Sequence, residues 1–454
     1  MRKTNTTHGK IRQLFIILFP LLITQLSLYA MSFFDIMMSG RYSTADVAGV
    51  SIGSSLWMPI YSGLGGILLA IPPIISQLIG AKDIKKVPFN IIQAIYLALA
   101  IGVAITIIGF ILLNPILSMM NLEPAVEQVA HSFLVGLGYG ILPLFVFNVL
   151  RSFMDGLGQT RISMLITLSA LPINITFNYF LIYGKFGFPE LGGVGSGYAT
   201  AITYWLIFII ALIVVVKVEP FASYRVFKRF YRLSLKSWKT LLVIGLPIGF
   251  SIFFETSIFA AVTLFMSSYD TITIASHQIA MNFASFLYMA PLSISMGLTI
   301  VVAFEVGAKR YSDAREYSKI GISIAVILSL ICSLVIFFLR EQVASIYTDD
   351  QVVIKLTTHF LIYAIFFQIS DAFQAPIQGI LRGYKDVNFT FFMSLVSYWV
   401  IGLPFGYTLA NFTDLGPFGY WIGLISGLAI GAIGLLGRLL YLQKVKYPST
   451  QKSV

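Results

Sequence analysis

The sequence predicts an all-α polytopic membrane protein: twelve transmembrane helices in two like-oriented six-helix bundles around a central cleft. Three observations predict it. Of 454 residues, 57% are hydrophobic and only 11% charged, against about 25% charged in a soluble globular chain. The apolar residues gather in stretches of about 20 or more, the length a helix needs to cross a bilayer core. The basic residues collect in alternate gaps between those stretches, as they do in chains that cross a membrane many times. This composition excludes soluble enzymes, nucleic-acid binders and disordered chains. The single cysteine, Cys332, permits neither an intramolecular disulfide nor a cysteine metal cluster.

The elements follow in order. Four basic residues, Arg2, Lys3, Lys10 and Arg12, lie at or before the start of the first span, 12–37, which is longer than a signal-peptide core and is followed by further apolar sequence. The second span is 50–80; Lys82, Lys85 and Lys86 then lead into 88–113 and 126–149. Arg151 and Arg161 mark the return to 160–184 and 193–217. Seven basic residues from Lys217 to Lys239 fill the one long polar connector, KVEPFASYRVFKRFYRLSLKSWK. Beyond it lie 240–266 and 274–303, four basic residues from Lys309 to Lys319, then 318–339 and 354–379. Arg382 and Lys385 precede 390–410 and 418–442, and four more basic residues run from Arg438 onward. The opposite side holds only Arg41, Lys185, Arg340 and Lys355. Because cytoplasmic loops carry the excess of Lys and Arg, both termini are expected in the cytoplasm. The net charge of +11 is therefore topology and no nucleic-acid footprint. Glycine and proline inside the spans do not oppose helices, since neighbouring helices re-satisfy the freed backbone.

The connector divides the chain into an N-terminal bundle, 1–217, a basic cytoplasmic linker, 218–239, and a C-terminal bundle, 240–454. The halves resemble each other at an offset near 227. Pro20 pairs with Pro247, Gly80-Ala81-Lys82 with Gly307-Ala308-Lys309, and Phe133-Leu134 with Phe360-Leu361. Slightly shifted, Leu150-Arg151 through Asp155 pairs with Leu381-Arg382 through Asp386, and Leu191-Gly192 with Leu415-Gly416. Six helices separate equivalent points, so the repeats share orientation, as in transporters built from two parallel halves.

Of 19 acidic residues, Asp35, Glu255 and Asp371 lie well inside spans. An ionised side chain at the bilayer centre costs about 2.5–3.5 kcal/mol on insertion scales, so such residues mark ion or substrate pathways unless held neutral by packing. Asn174 and Asn178, four apart, share one helical face. Their amide oxygens suit an alkali cation or a protonated carboxyl; they equally suit hydrogen bonding between helices. Thr200 is open to both roles, or to bonding its own helix backbone. His277 and Gln278 read as an interfacial anchor. Arg151 with Asp155, and Arg382 with Asp386, read as local ion pairs or headgroup contacts. No nucleotide motif and no His/Cys cluster is present in the sequence, so no cofactor is expected and the energy source is an ion gradient or the substrate itself.

Several segments together resemble one family. DIMMSGRYSTADVAGVSIGSSLWMPI (35–60), RSFMDGLGQTR (151–161), KFGFPELGGVGSGYATA (185–201), FFETSIFA (253–260), ASHQIAMNF (275–283) and LRGYKD (381–386) are similar to the multidrug and toxic compound extrusion (MATE) family, in its bacterial NorM-like branch. The resemblance implies a monomeric carrier in the cell membrane that exports small organic cations in exchange for Na+ or H+ by alternating access. It implies that Asp35 is the essential acid of the first helix, with Asn174, Asn178 and Thr200 as the polar cluster around it and a candidate Na+ site. It further implies that Glu255 and Asp371 form the acidic pair of the C-terminal bundle. Phe367, four residues before Asp371, stands where some sodium-coupled relatives have Tyr. A lipid-linked oligosaccharide flippase, which calls for several mid-membrane basic residues, and a major facilitator carrier, whose helix 2–3 signature the loop QLIGAKDIKKVP (77–88) matches poorly, are the rival readings.

Overall fold

The computed structural model describes residues 3, 4 and 6–448. Arg2 and Lys452, counted above for orientation, and the extreme ends of the two expected bundles lie outside the described residues. Among the described residues the chain is helix and turn, with no strand. Among the described residues eleven helices are long and apolar enough to cross a membrane, and a helix pair bent by 50° makes a twelfth when taken as one span. In chain order they are α1 (Thr7–Gly40), α2 (Thr44–Gly80), α3 (Ile84–Met119), the bent α4 (Pro124–Gly138 with Ile141–Gly156), α5 (Thr160–Tyr183) and α6 (Val194–Lys217). After the connector come α7 (Leu235–Met266), α8 (Thr271–Gly307), α9 (Tyr311–Ser345), α10 (Gln351–Gly383), α11 (Val387–Phe412) and α12 (Phe418–Lys446).

Large apolar side chains such as Phe110, Leu264 and Ile433 point outward, which is expected where the surrounding solvent is lipid. Helix starts are built with side-chain acceptors. Ser43 accepts the Asp46 N–H, Asp270 the Thr273 N–H, and Asp350 the Val352 N–H, each satisfying an otherwise orphaned donor of the first turn. The bend in α4 falls where Gly140 meets α6: a Cβ there would lie 2.7 Å from Ala201 Cα.

Contacts divide the chain into two compact units, Phe19–Gly245 and Met1–Leu18 with Leu246–Val454. The opening turns of α1 thus belong with the C-terminal helices, where the buried Lys10 ammonium pairs with Asp313 at 2.6 Å and with Glu316. Within the C-terminal unit α8 and α10 pack backbone to backbone at Gly379, whose absent Cβ would lie 2.1 Å from the Ser295 carbonyl oxygen. α11 and α12 meet along Gly402, Gly406, Gly419 and Gly423, the small-residue seam by which membrane helices approach closely.

The duplication is visible atom by atom. After α2, Lys82 N–H bonds Ile79 O and Asp83 N–H bonds Leu78 O; after α8, Lys309 bonds Val306 and Arg310 bonds Glu305. These are Schellman caps, with Lys82 and Lys309 both left-handed at φ 59° and 57°. Thr24 and Ser251 each donate back to the carbonyl of the proline four residues earlier, Pro20 and Pro247. At the ends of α4 and α10, Gly158 N–H bonds Asp155 O while Lys385 N–H bonds Arg382 O. The register there places Asp155 opposite Arg382, so the expected matching of Arg151-Asp155 with Arg382-Asp386 is out by one helical turn.

Candidate functional site

In the N-terminal unit, the left-handed Gly184 at φ 62° ends α5 and turns the chain toward α6. Gly195 lets the α6 backbone press on α5, since a Cβ there would stand 2.6 Å from the Leu181 carbonyl carbon. That close approach brings Thr200 over Asn174, whose Nδ2 donates to Thr200 Oγ1 at 3.1 Å. Tyr183 Oη donates to the Met38 carbonyl at 2.9 Å and fixes α1 alongside. Asp35 then closes a ring. Asn178 Nδ2 donates to Asp35 Oδ1 at 2.7 Å and to Asn174 Oδ1 at 3.0 Å, and Thr200 Oγ1 donates to Asp35 Oδ2 at 3.1 Å. All four side chains are buried.

Two of the four contacts, from the Asn178 amide and the Thr200 hydroxyl, donate to the two oxygens of Asp35, so the ring suits an ionised carboxylate. One buried acceptor is left over: Asn178 Oδ1 has no hydrogen-bond partner among the described residues. A buried amide oxygen beside a carboxylate is the kind of donor set a hard monovalent cation takes. Thr200, which could have bonded its own helix, does not; its neighbour Thr203 donates to the Ala199 carbonyl at 2.8 Å.

In the C-terminal unit, Glu255 from α7 and Asp371 from α10 line one cavity with Phe259, Met281, Tyr288, Phe367 and Tyr398. Its volume of about 40 Å³ holds a few water-sized guests at about 10–15 Å³ each. Tyr288 Oη donates to Glu255 Oε1 at 2.9 Å. A hydroxyl thus reaches Glu255 from Tyr288 of α8, while Tyr398 of α11 lines the same cavity and accepts from Gln374 Nε2. Sequence reasoning missed both tyrosines, since an aromatic among many carries no signal of which way it faces. Asp371 Oδ2 is buried without a partner among the described residues.

Other residues take structural roles. His277 is not an interfacial anchor: it is fully buried, accepting Trp421 Nε1–H at Nδ1 over 3.1 Å. The local ion pairs also fail to form as expected. Asp386 pairs with Arg438 of α12, at 2.6 and 3.1 Å, and Asp155 accepts from Ser163 at 2.5 Å. A buried acid outside the expected set, Asp46, accepts the Gly193 N–H at 2.5 Å and joins the start of α2 to the start of α6. At the register offset of the two units, Asp35 falls opposite Val262 and Asp371 opposite Leu144. One scaffold thus carries two unlike acidic sites.

Among protein families, the chain matches MatE over residues 20–180 and 247–408. It is similar to the "Probable multidrug resistance protein NorM" of Halalkalibacterium halodurans, 58% identical over 98% of this chain and 97% of that one. It is equally similar to the protein of that description from Bacillus subtilis, 58% identical over 98% of both chains. Among solved structures, the outward-facing conformation of a multidrug resistance MATE family transporter superposes with a TM-score of 0.89 at 19% identity, over 98% of this chain and 100% of that one. The Vibrio cholerae MATE transporter VcmN in its bent form gives a TM-score of 0.84 at 18% identity, over 96% and 99%. At these identities the structures speak for the fold.

Proposed function

The chain belongs to the MatE family, and from that premise we propose that it is a secondary active multidrug transporter of the cell membrane, exchanging cytoplasmic organic cations for external Na+ by alternating access. The full-length likeness to NorM-named multidrug resistance proteins supports the transport reading. The observation that carries the assignment of the site is the buried ring of Asp35, Asn178, Asn174 and Thr200, with one amide oxygen left to bind.

The mechanism follows from charge. Asp35 is the single acid of this ring, so a small cation and an organic cation compete for one negative charge. External Na+ neutralises Asp35 and favours drug release; the cytoplasm-facing state loses Na+ and recovers affinity for drug. A ligand shifts a conformational equilibrium only by its difference in affinity for the two states, and exchange at one carboxylate supplies that difference. A tenfold gradient is worth about 1.4 kcal/mol and 100 mV about 2.3 kcal/mol per charge, enough to drive the cycle. Uncharged oxygen donors around one carboxylate favour Na+ over a proton in this reading, with Glu255 and Asp371 as a second cation-coupling pair. The basic loops and both termini are assigned to the cytoplasmic side.

Ethidium export by cells producing wild-type protein or the Asp35→Asn variant tests the reading. Loss of export with normal membrane abundance is expected. Export at the wild-type rate refutes it.

A further inference from the structure

The C-terminal unit contains a row of buried polar groups that antiport at Asp35 does not use. Asp371, Gln374, Gln378 and Arg382 follow one another on α10 at spacings of three and four, so they lie along one face of the helix. All four are buried; the most exposed, Arg382, shows 6% of its surface. The row starts at the Glu255–Asp371 cavity and ends in the last turn of α10, at the end that carries Lys385. Beside it, a π-helical stretch of α11, Leu395–Gly402, includes Ser397 and Tyr398, both buried. Such wide turns recur at functional sites.

The row is under-bonded. Gln374 Nε2 donates to Tyr398 Oη at 2.8 Å, and Arg382 reaches Gln378 Oε1 at 3.4 Å. Beyond these, Asp371 Oδ2, Gln374 Oε1, Gln378 Nε2, Arg382 Nε, Ser394 Oγ and Ser397 Oγ are all buried without a hydrogen-bond partner among the described residues. Glycine at 431 lets α12 pack tightly against the row: a Cβ there would lie 2.9 Å from Ser397 Oγ and 3.0 Å from Gln374 Oε1. Arg382 makes no ion pair within 4.0 Å among the described residues; Glu255 is its charged partner at longer range, and Gln378 faces the same carboxylate.

Dry packing does not account for this arrangement. Each unsatisfied buried polar group costs about 1–3 kcal/mol, and charged groups more. Four of them along one helix face, with Ser394 and Ser397 of α11 besides, would together cost about as much as a typical domain's whole margin of about 5–15 kcal/mol. Water satisfies such groups when it finds two to four polar partners, and here donors and acceptors are interleaved from the carboxylates to the guanidinium.

We propose that the row is a water-filled path which gives the Glu255–Asp371 cavity a second access to solvent, through the interior of the C-terminal unit to the end of α10. A guanidinium at its mouth opposes a metal cation, so what the path carries is water. Its use, keeping the carboxylate pair hydrated while the cation held there exchanges, rests on the antiport reading; its existence does not.

Hydroxyl-radical footprinting of the intact transporter in lipid nanodiscs tests the path without requiring transport, because radicals made from bound water mark the side chains next to it. Tyr398 and Trp421 are both buried, at 1% and 0% exposure. The expected result is modification of Tyr398 several-fold faster than of Trp421, despite the higher intrinsic reactivity of tryptophan, and a several-fold drop at Tyr398 in Gln378→Leu. Gly431→Ala, which keeps every polar residue and crowds Ser397 Oγ and Gln374 Oε1 with a methyl, gives the same drop if the leucine variant does not fold. Modification of Tyr398 no faster than Trp421 overturns the proposal. So does a Tyr398 rate that neither variant changes, since water would then reach the cavity from elsewhere. Loss of ethidium export in Asp35→Asn combined with a negative footprint sinks the path alone.

Discussion

Thr200 shows what a single hydroxyl contributes to the N-terminal ring. It donates to Asp35 Oδ2 and accepts from Asn174 Nδ2, so it both supports the carboxylate charge and orients one amide. A hydrogen bond to a charged group contributes about 1.5–3 kcal/mol. Thr200→Val keeps the shape and removes the hydroxyl; apparent Na+ affinity in drug-exchange assays should fall about tenfold or more, while Thr200→Ser should stay close to wild type. Equal affinities in the two variants would show that the hydroxyl is packing alone. The sequence placed Asp35, Asn174 and Asn178 correctly inside their spans because a buried charge, or an amide pair on one face, is conspicuous in apolar surroundings. It left Thr200 undecided, since a threonine in a helix has its own backbone as an alternative partner and only the approach of α5 to α6 at Gly195 settles the choice. Tyr288, Gln374 and Gln378 went unnoticed for a related reason. Their significance lies in what faces them from other helices, although the spacing of 371, 374, 378 and 382 was there to be read.

At the scale of the elements, close packing of α8 on α10 is the sharpest constraint. Gly379→Ala puts a methyl 2.1 Å from a backbone oxygen of Ser295, which no rotamer change relieves. Overpacking of this kind costs about 1–3 kcal/mol, and the melting temperature in detergent should drop by several degrees; an unchanged melting temperature would mean that α8 and α10 separate freely. The turn between α10 and α11 gives a pH-dependent case. Burial pulls the Lys385 ammonium down to about 8, below its ordinary value of about 10.4. Between those values the unfolded chain binds more protons than the folded one, so the folded state gains stability as pH rises through that window. Lys385→Gln should therefore raise the melting temperature at pH 7, with the gain shrinking toward pH 10; a gain that does not change with pH would assign the effect to something other than the ammonium. The spans themselves were legible because hydropathy and length suffice to define them. The bend in α4, the π-helical stretch of α11 and the buried role of His277 were not, since each depends on what a neighbouring helix presents.

For the whole molecule, the duplicated scaffold and its unequal sites carry the account. Matching caps after α2 and α8 and matching proline carbonyl contacts in α1 and α7 mark a common ancestor for the two halves, yet the acids sit at non-equivalent positions. The repeat was readable from sequence at the turns, where glycine, alanine and lysine recur in fixed order. It was misread at Arg151 and Arg382, where a short charged motif recurs one turn out of step with the backbone. Two unlike sites on like scaffolds are what an exchanger needs if one binds the coupling ion against the drug and the other adds a second ion. The most direct measurement is ethidium transport in everted membrane vesicles under a Na+ gradient and a pH gradient imposed separately, for wild type and Asp35→Asn. The account predicts Na+-driven transport in the wild type, none in the variant, and Na+ movement on adding drug; transport driven by the pH gradient alone, or a variant that still exchanges Na+ for ethidium, would contradict it.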